Sequence, residues 1–195
     1  MLLEGVELPK VESFKYLGCL LQNDGKCDRE VKRKVQAGWN SWRKITGVLC
    51  DRRIAPKIKG KIYQVAVRPA MMFGLETLST TKSHVDELET AEMSMLRFSL
   101  GVTRLDKIRN ERIRGTVHIE KISEKVREAR LRWFGHVMRR ENYLGKKLLE
   151  FEISGRRRRG RPARKYLDVV KEGMVTMPSL TTSRYLLDKN GRRQE

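Results

Sequence analysis

Ten residues near the C-terminal end of the chain, Arg156 to Lys165, read RRRRGRPARK and contain seven cations and no acid. We call this segment the basic strip. Gly160 disfavours a helix, and Pro162 lacks a backbone N–H and restricts the residue before it, so the pattern predicts an extended conformation. Arginine pairs with phosphate through two hydrogen bonds and also suits a narrow minor groove. The basic strip therefore predicts contact with a nucleic acid.

Other roles for such a run of cations stay open at this point. It is also typical of a solvated linker and of a nuclear-import signal. Residues 159–165, RGRPARK, resemble an AT-hook, whose Arg-Gly-Arg-Pro core lies in the minor groove of A·T-rich duplex. Ala163 and Arg164 stand where AT-hooks continue with a basic pair, so we rank phosphate binding above groove selectivity.

The charge of the whole chain favours a polyanionic partner. The chain has 195 residues, with 43 Lys and Arg against 24 Asp and Glu, and a formal net charge of +19. Residues 121–165 alone hold sixteen Lys and Arg against five Glu. Clustered positive charge is typical of proteins that bind the phosphate backbone of DNA or RNA, with an affinity that falls as salt rises.

Several other classes of function find no support in the sequence. No apolar run approaches the ~20 residues of a transmembrane helix, and acids and a proline interrupt any signal sequence, so we expect no membrane association. The cysteines, Cys19, Cys27 and Cys50, are too widely spaced for a paired zinc motif, and we expect no metal and no cofactor. The expected location is the nucleus, with the cytoplasm as the alternative.

The apolar pattern predicts a mainly α-helical fold that begins with a short β-hairpin. Residues 1–25 alternate as in strands and close on the turn signal Asn23-Asp24-Gly25. From Asp28, apolar residues recur at helical spacing and bring Trp39 and Trp42 onto one face, which favours a core role over base stacking. Residues 26–140 are expected to form a bundle of about five helices, and residues 141–195 a basic linker with a partly disordered tail.

The later helices are predicted from their start and stop signals. One begins at Pro56 and is broken at Pro69, and a third runs from Ser83 to Gly101. Its expected buried stripe is Val85, Leu88, Met95, Leu96 and Phe98. A short helix over 107–114 ends at Gly115, and another begins near Ser123. This last pair is compatible with a DNA-reading helix-turn-helix, although packing is the commoner role of such a pair.

Candidate contacts to the phosphate backbone follow from these elements. The helical candidates are Lys32, Arg33, Arg127, Arg130, Arg132, Arg139 and Arg140. The candidates in the basic strip are Arg156, Arg157, Arg158, Arg159, Arg161, Arg164 and Lys165. No group of side chains in the sequence forms a catalytic constellation, so catalytic residues are not predicted.

Five stretches, taken in order, resemble the C-terminal part of reverse transcriptases from non-LTR (LINE-type) retrotransposons, and most closely their RTE/BovB branch. These stretches are residues 14–39, 61–77, 88–117, 131–140 (LRWFGHVMRR) and 155–168 (GRRRRGRPARKYLD). The resemblance spans roughly residues 5–175. It implies the thumb and post-thumb region, which in that family grips the template–primer duplex behind the catalytic palm.

Departures from that family point to a non-catalytic fragment. The palm, with its Tyr/Phe-Ala-Asp-Asp metal site, would lie upstream of Phe14, and the endonuclease lies further upstream still. Nucleotidyl transfer by two metal ions needs clustered carboxylates to bind the ions, and the sequence contains no Asp-Asp or Asp-x-Asp pair. Leu78 stands where the family usually has Trp, and the likeness ends near Thr176. We therefore expect no enzyme activity and a truncated or re-spliced copy of such an element.

Two alternatives to nucleic-acid binding remain at this stage. One is a domesticated protein-interaction module, in which the basic strip is only a nuclear address. Its partner would cover the apolar surface that the absent palm leaves, formed by Phe14, Tyr16, Leu20, Trp39 and Trp42, because such patches mark interaction sites. The other is a non-functional open reading frame left by a retroelement.

Overall fold

Helices dominate the computed structural model, which describes residues 2–3, 6–7, 11–16, 18–139, 144–150 and 165–176. Short antiparallel strand pairs precede the helices. The predicted fold class, mainly α with an N-terminal hairpin, is confirmed. None of the described helices has the length and apolar character needed to cross a bilayer.

The strands form two small hairpins. They are β1 Leu2–Leu3 with β2 Val6–Glu7, and β3 Ser13–Tyr16 with β4 Cys19–Gln22. Gly18 joins β3 to β4 at a φ of +82°, a left-handed conformation that favours glycine. The predicted turn at Asn23 follows β4, where the Asn23 N–H donates to the Glu12 carbonyl at 2.9 Å. That turn therefore ends the hairpin and leads into the first helix.

The helices of the described residues are α1 Asp28–Lys44, α2 Thr46–Leu49, α3 Pro56–Ala66, α4 Arg68–Met72, α5 Lys82–Leu100, α6 Asn110–Val117, α7 Ile122–Met138, α8 Leu144–Glu150 and α9 Tyr166–Thr176. Of these, α1, α3, α5, α6 and α7 correspond to helices expected from the sequence, with ends that differ by a few residues. A 3-10 turn, Leu75–Thr77, lies between α4 and α5.

Prolines, a threonine and a glycine set several helix boundaries. Pro56 and Pro69 lie in the first turns of α3 and α4, where no intrahelical bond to their nitrogen is needed. Thr81 caps α5, accepting the His84 N–H while the His84 ring accepts the Thr81 N–H. Gly101, at a φ of +68°, ends α5 as predicted. The start of α5 precedes the predicted Ser83 because the cap is Thr81.

The hydrophobic core lies where α1, α3, α4, α5, α6 and the start of α7 meet. Leu88, Met95 and Leu96 are buried in it, as expected, and Val85 is half-buried. Phe98 is 62% exposed, so its predicted place in the buried stripe is wrong. Its ring meets that of the core residue Trp42 edge to face, with 5.2 Å between the ring centroids.

Close packing of α3 on α6 depends on Gly60. A Cβ atom at Gly60 would lie 1.9 Å from the Val117 carbonyl oxygen, a backbone atom that cannot move aside alone. We predict that Gly60→Ala lowers the free energy of unfolding by about 1–3 kcal/mol or more, because the helices must separate. Gly115→Ala is the matched control, since a Cβ there meets nothing within 4 Å. It should stabilise by about 0.5–1 kcal/mol.

Chemical denaturation of both variants checks this prediction. Equal stabilities of the Gly60→Ala and Gly115→Ala proteins would contradict the close packing of α3 against α6.

The last helix, α9, joins the bundle, although residues 141–195 were expected to form a linker and tail. Val169 and Val170 are buried, and Gly173 lets α9 approach the Arg127 side chain on α7. The helical bundle therefore includes residues 166–176. The tail from Pro178, expected to be partly disordered, lies outside the described residues.

Candidate nucleic-acid interface

The cations of the described residues include an internal set and an exposed set, with a few half-buried ones between them. The internal set is paired with acids or carbonyl groups inside the fold. Its members are Arg33, Lys34, Lys59, Arg68, Arg114 and Arg130. Only the exposed set can meet a phosphate backbone without opening the bundle, so burial decides which predicted contacts remain available.

A fully buried carboxylate, Glu92, organises the largest internal ion network. Its Oε1 accepts hydrogen bonds from Arg68 at 2.7 Å and from the Tyr63 hydroxyl at 3.3 Å. Arg114 lies 3.8 Å from its Oε2. Arg68 also donates to the Glu120 carbonyl just before α7. The network thus ties α3, α4, α5, α6 and the start of α7 together. Burial, with the nearby Glu92 charge, raises the pKa of Tyr63, which stays a protonated donor.

Arg130 does not belong to the interface that the sequence predicted. Its side chain is buried and donates to the Leu78 carbonyl at 3.1 Å and to the Thr80 hydroxyl at 2.8 Å. The expectation of a phosphate contact from Arg130 is therefore corrected: this guanidinium fixes the segment before α5 against α7. Helical spacing alone could not distinguish a solvated from a buried face for this residue.

Arg33 is also committed to internal contacts. Its guanidinium pairs with the buried Glu30 at 2.8 Å and donates to the Gly18 carbonyl, while the Leu20 N–H donates to the same carboxylate. Burial would raise the pKa of Glu30, but hydrogen bonds from Arg33, Leu20 and Lys34 hold it below its usual value. Arg33 therefore anchors the hairpin to α1, and its predicted phosphate contact would compete with these internal partners, although 37% of the side chain is exposed.

Among the other helical candidates, Lys32 is exposed on α1. Arg127 is half-buried against Gly173, and Arg139 is exposed at the end of α7. Arg132 is exposed and pairs with Glu128 at 2.5 Å. Lys165 is exposed and directly precedes α9. The remaining candidates lie outside the described residues: Arg140, Arg156, Arg157, Arg158, Arg159, Arg161 and Arg164.

An exposed cationic surface that the sequence patterns did not reveal lies at the start of α3. It consists of Arg52, Arg53, Lys57 and Lys61, which we call the α3 cationic face. Lys57 and Lys61 are one helical turn apart, so they lie on one side of α3. Within the described part of the chain, none of the four forms an ion pair. The signal that could have revealed it is the absence of any acid between Arg52 and Leu75.

A groove between α4 and α7 lies on another part of the surface. We call it the α4–α7 groove. It has a volume of about 560 Å³. Pro69, Met72, Phe73, Ala129 and Trp133 form its apolar lining, and Arg132, His136 and Arg139 are its basic residues. The groove thus combines aromatic rings with cations, which is a combination suited to bases and phosphates.

The predicted helix-turn-helix pair corresponds to α6 and α7. Most of α7 is covered, since it packs against α5, α9 and the turn Leu75–Thr77. Ile122, Val126, Leu131 and Val137 are buried on it. The packing role of this pair is therefore the one that the structure supports.

The apolar surface proposed for a protein partner is only partly present. Phe14 and Tyr16 are exposed on β3, with 6.0 Å between their ring centroids. Leu20 and Trp39 are half-buried, and Trp42 is buried in the core. Trp42 therefore does not belong to that surface. Among the described residues, no group of three or more His, Cys, Asp and Glu side chains could hold a metal ion.

Comparison with known proteins supports a transposon origin. The chain is 25% identical over 143 residues to an uncharacterized protein of Caenorhabditis elegans that is described as transposon-derived. That match covers 70% of this chain and 50% of the relative, so the chain spans about half the length of the curated relative it matches. No protein family and no solved structure matches the chain.

Proposed function

We propose that the chain is a non-catalytic, nucleic-acid-binding fragment derived from the thumb region of a non-LTR retrotransposon reverse transcriptase, acting in the nucleus. It holds DNA or RNA mainly through the phosphate backbone. The observation that carries the proposal is the α3 cationic face, which is exposed and makes no internal ion pair among the described residues. The reverse-transcriptase origin rests on the ordered sequence stretches, and the transposon-derived relative is consistent with it.

Electrostatics explains why such a surface is suited to this role. Cations that already neutralise internal acids gain little from a phosphate, because they must first give up a partner. Lys57 and Lys61 have no ion-pair partner to give up among the described residues. When they neutralise phosphates, counterions are released from the nucleic acid, which favours binding. The basic strip directly precedes α9 along the chain, and it would add further phosphate contacts.

Replacing Lys57 and Lys61 with glutamine tests the proposal. Binding of the full chain to a 20-base-pair DNA duplex, measured by fluorescence anisotropy between 50 and 200 mM salt, should weaken. The slope of log K against log salt should become shallower by about 0.9 for each lysine that no longer neutralises a phosphate, or about 1.8 for both.

The matched control is the Lys26→Gln, Arg29→Gln variant, which removes the same charge from two cations that are paired with Asp24 and Glu12. Its slope should stay close to that of the unmodified chain. If both variants change the slope equally, net charge rather than the α3 cationic face accounts for the binding.

A second candidate function is protein binding through the β3–β4 hairpin, with the basic strip as a nuclear address. The exposed rings of Phe14 and Tyr16 favour it, because exposed aromatic surface is typical of interaction sites. A Phe14→Ser, Tyr16→Ser variant should then lose a nuclear protein partner that is retained after nuclease treatment and high salt. Retention of that partner would contradict this second function.

A further inference from the structure

We infer that the α4–α7 groove binds unpaired bases of single-stranded nucleic acid, an inference that rests on the proposed nucleic-acid function and specifies its ligand. Phe73 and Trp133 would stack on successive bases. The basic side chains of the groove would donate hydrogen bonds to the intervening phosphates. This combination of aromatic platforms with a positively charged groove is how proteins bind single strands with little sequence preference.

The aromatic rings are available and held in place. Phe73 is 62% exposed, and the Lys34 ammonium lies 4.9 Å from its ring centroid. Trp133 is half-buried, and the Tyr166 ring meets it edge to face at 5.6 Å. Rings whose orientation is already fixed lose little conformational entropy when a base stacks on them.

Tyr166 contacts two of the residues that line this site. Its ring meets Trp133, and its hydroxyl donates to the carbonyl of Glu76 at 3.1 Å. Burial raises the pKa of Tyr166, so this donor keeps its proton at physiological pH. The contact joins α9 to the turn Leu75–Thr77.

Basic side chains line the groove and can donate hydrogen bonds to phosphate oxygens. Arg132, His136 and Arg139 lie in the lining together with the acid Glu76. The Glu128 carboxylate pairs with the Arg132 guanidinium, so the lining carries no large positive charge. The preference for a nucleic acid over an apolar peptide therefore rests on the two aromatic rings combined with these donors.

The basic strip ends beside the same site. Lys165 is exposed and is covalently joined to Tyr166, which contacts Trp133.

Variants that separate stacking from charge test this inference in the full chain. The probes are a 20-nucleotide oligo(dT) and a 20-base-pair duplex. Trp133→Leu and Phe73→Leu should each weaken oligo(dT) binding about 5- to 140-fold, the range expected for the loss of one stacked base. Duplex binding should change less than about twofold, because paired bases cannot enter the groove.

Trp133→Phe distinguishes stacking from a folding defect. This variant keeps an aromatic ring and should recover most of the oligo(dT) affinity, while the quenching of tryptophan emission by oligo(dT) falls. Phe73→Leu gives a second measurement of the effect of stacking, at a side chain that is exposed, whereas Trp133 is half-buried. Unchanged oligo(dT) binding in both leucine variants, or equal losses for oligo(dT) and duplex, would overturn the inference. An unmodified chain that binds neither probe would instead overturn the proposed function itself.

Discussion

Replacing Glu92 with alanine is expected to lower the free energy of unfolding by about 3–5 kcal/mol. Glu92 is fully buried, and its removal leaves the buried guanidinium groups of Arg68 and Arg114 without their shared acid. An unpaired buried charge costs far more than the loss of an exposed ion pair. The expected result is a protein that unfolds at much lower denaturant concentration than the unmodified chain.

The matched control for this change is Glu128→Ala. Glu128 pairs with Lys125 and Arg132, whose side chains are 36% and 58% exposed, so its removal should cost less than about 1 kcal/mol. Urea denaturation monitored by circular dichroism compares the two variants. If Glu92→Ala is no less stable than Glu128→Ala, the buried network does not hold the helices together.

Replacing Arg156, Arg157, Arg158 and Arg159 with alanine is expected to give the largest decrease in nucleic-acid affinity. Removing four phosphate contacts would make the slope of log K against log salt shallower by about 3.6 on duplex DNA. The reason is that each phosphate no longer neutralised by an arginine keeps its condensed counterion. Anisotropy measurements with a 20-base-pair duplex over 50–200 mM salt give this slope directly.

A control of equal charge replaces Arg104, Lys107, Arg109 and Arg112 with glutamine. These side chains are exposed around the start of α6, interspersed with Asp106 and Glu111. The control should leave most of the slope intact. An unchanged slope in the alanine variant would remove the basic strip from the binding mechanism, and equal changes in both variants would mean that only net charge matters.

Much of the fold was predictable because local signals and the tertiary structure agree. Pro56, Pro69 and Gly101 mark helix boundaries through backbone chemistry that does not depend on distant contacts. The α1 pattern correctly predicted that Trp42 serves the core. Helix α9 was missed because its short apolar pattern follows directly on the basic strip, and its burial depends on α7.

The candidate site was less predictable, because the sequence does not show which cations have hydrogen-bond or ion-pair partners inside the fold. Arg33 and Arg130 resemble surface cations in sequence, yet they have internal partners that are 3 to 52 positions distant along the chain. Conversely, the sequence pattern did not indicate Lys57 and Lys61, because they do not belong to a dense run of cations. Which cations remain exposed is decided by the positions of Glu30, Glu92 and backbone carbonyl groups, which only the tertiary structure reveals.

Binding through the phosphate backbone is tested by the salt dependence of the unmodified full chain. Its affinity for a 20-base-pair duplex would be measured by anisotropy at several salt concentrations from 50 to 200 mM. We expect clear binding at 50 mM and a log K that falls linearly with log salt, by about 0.9 for each phosphate contacted. No binding at 50 mM, or an affinity that does not change with salt, would contradict it.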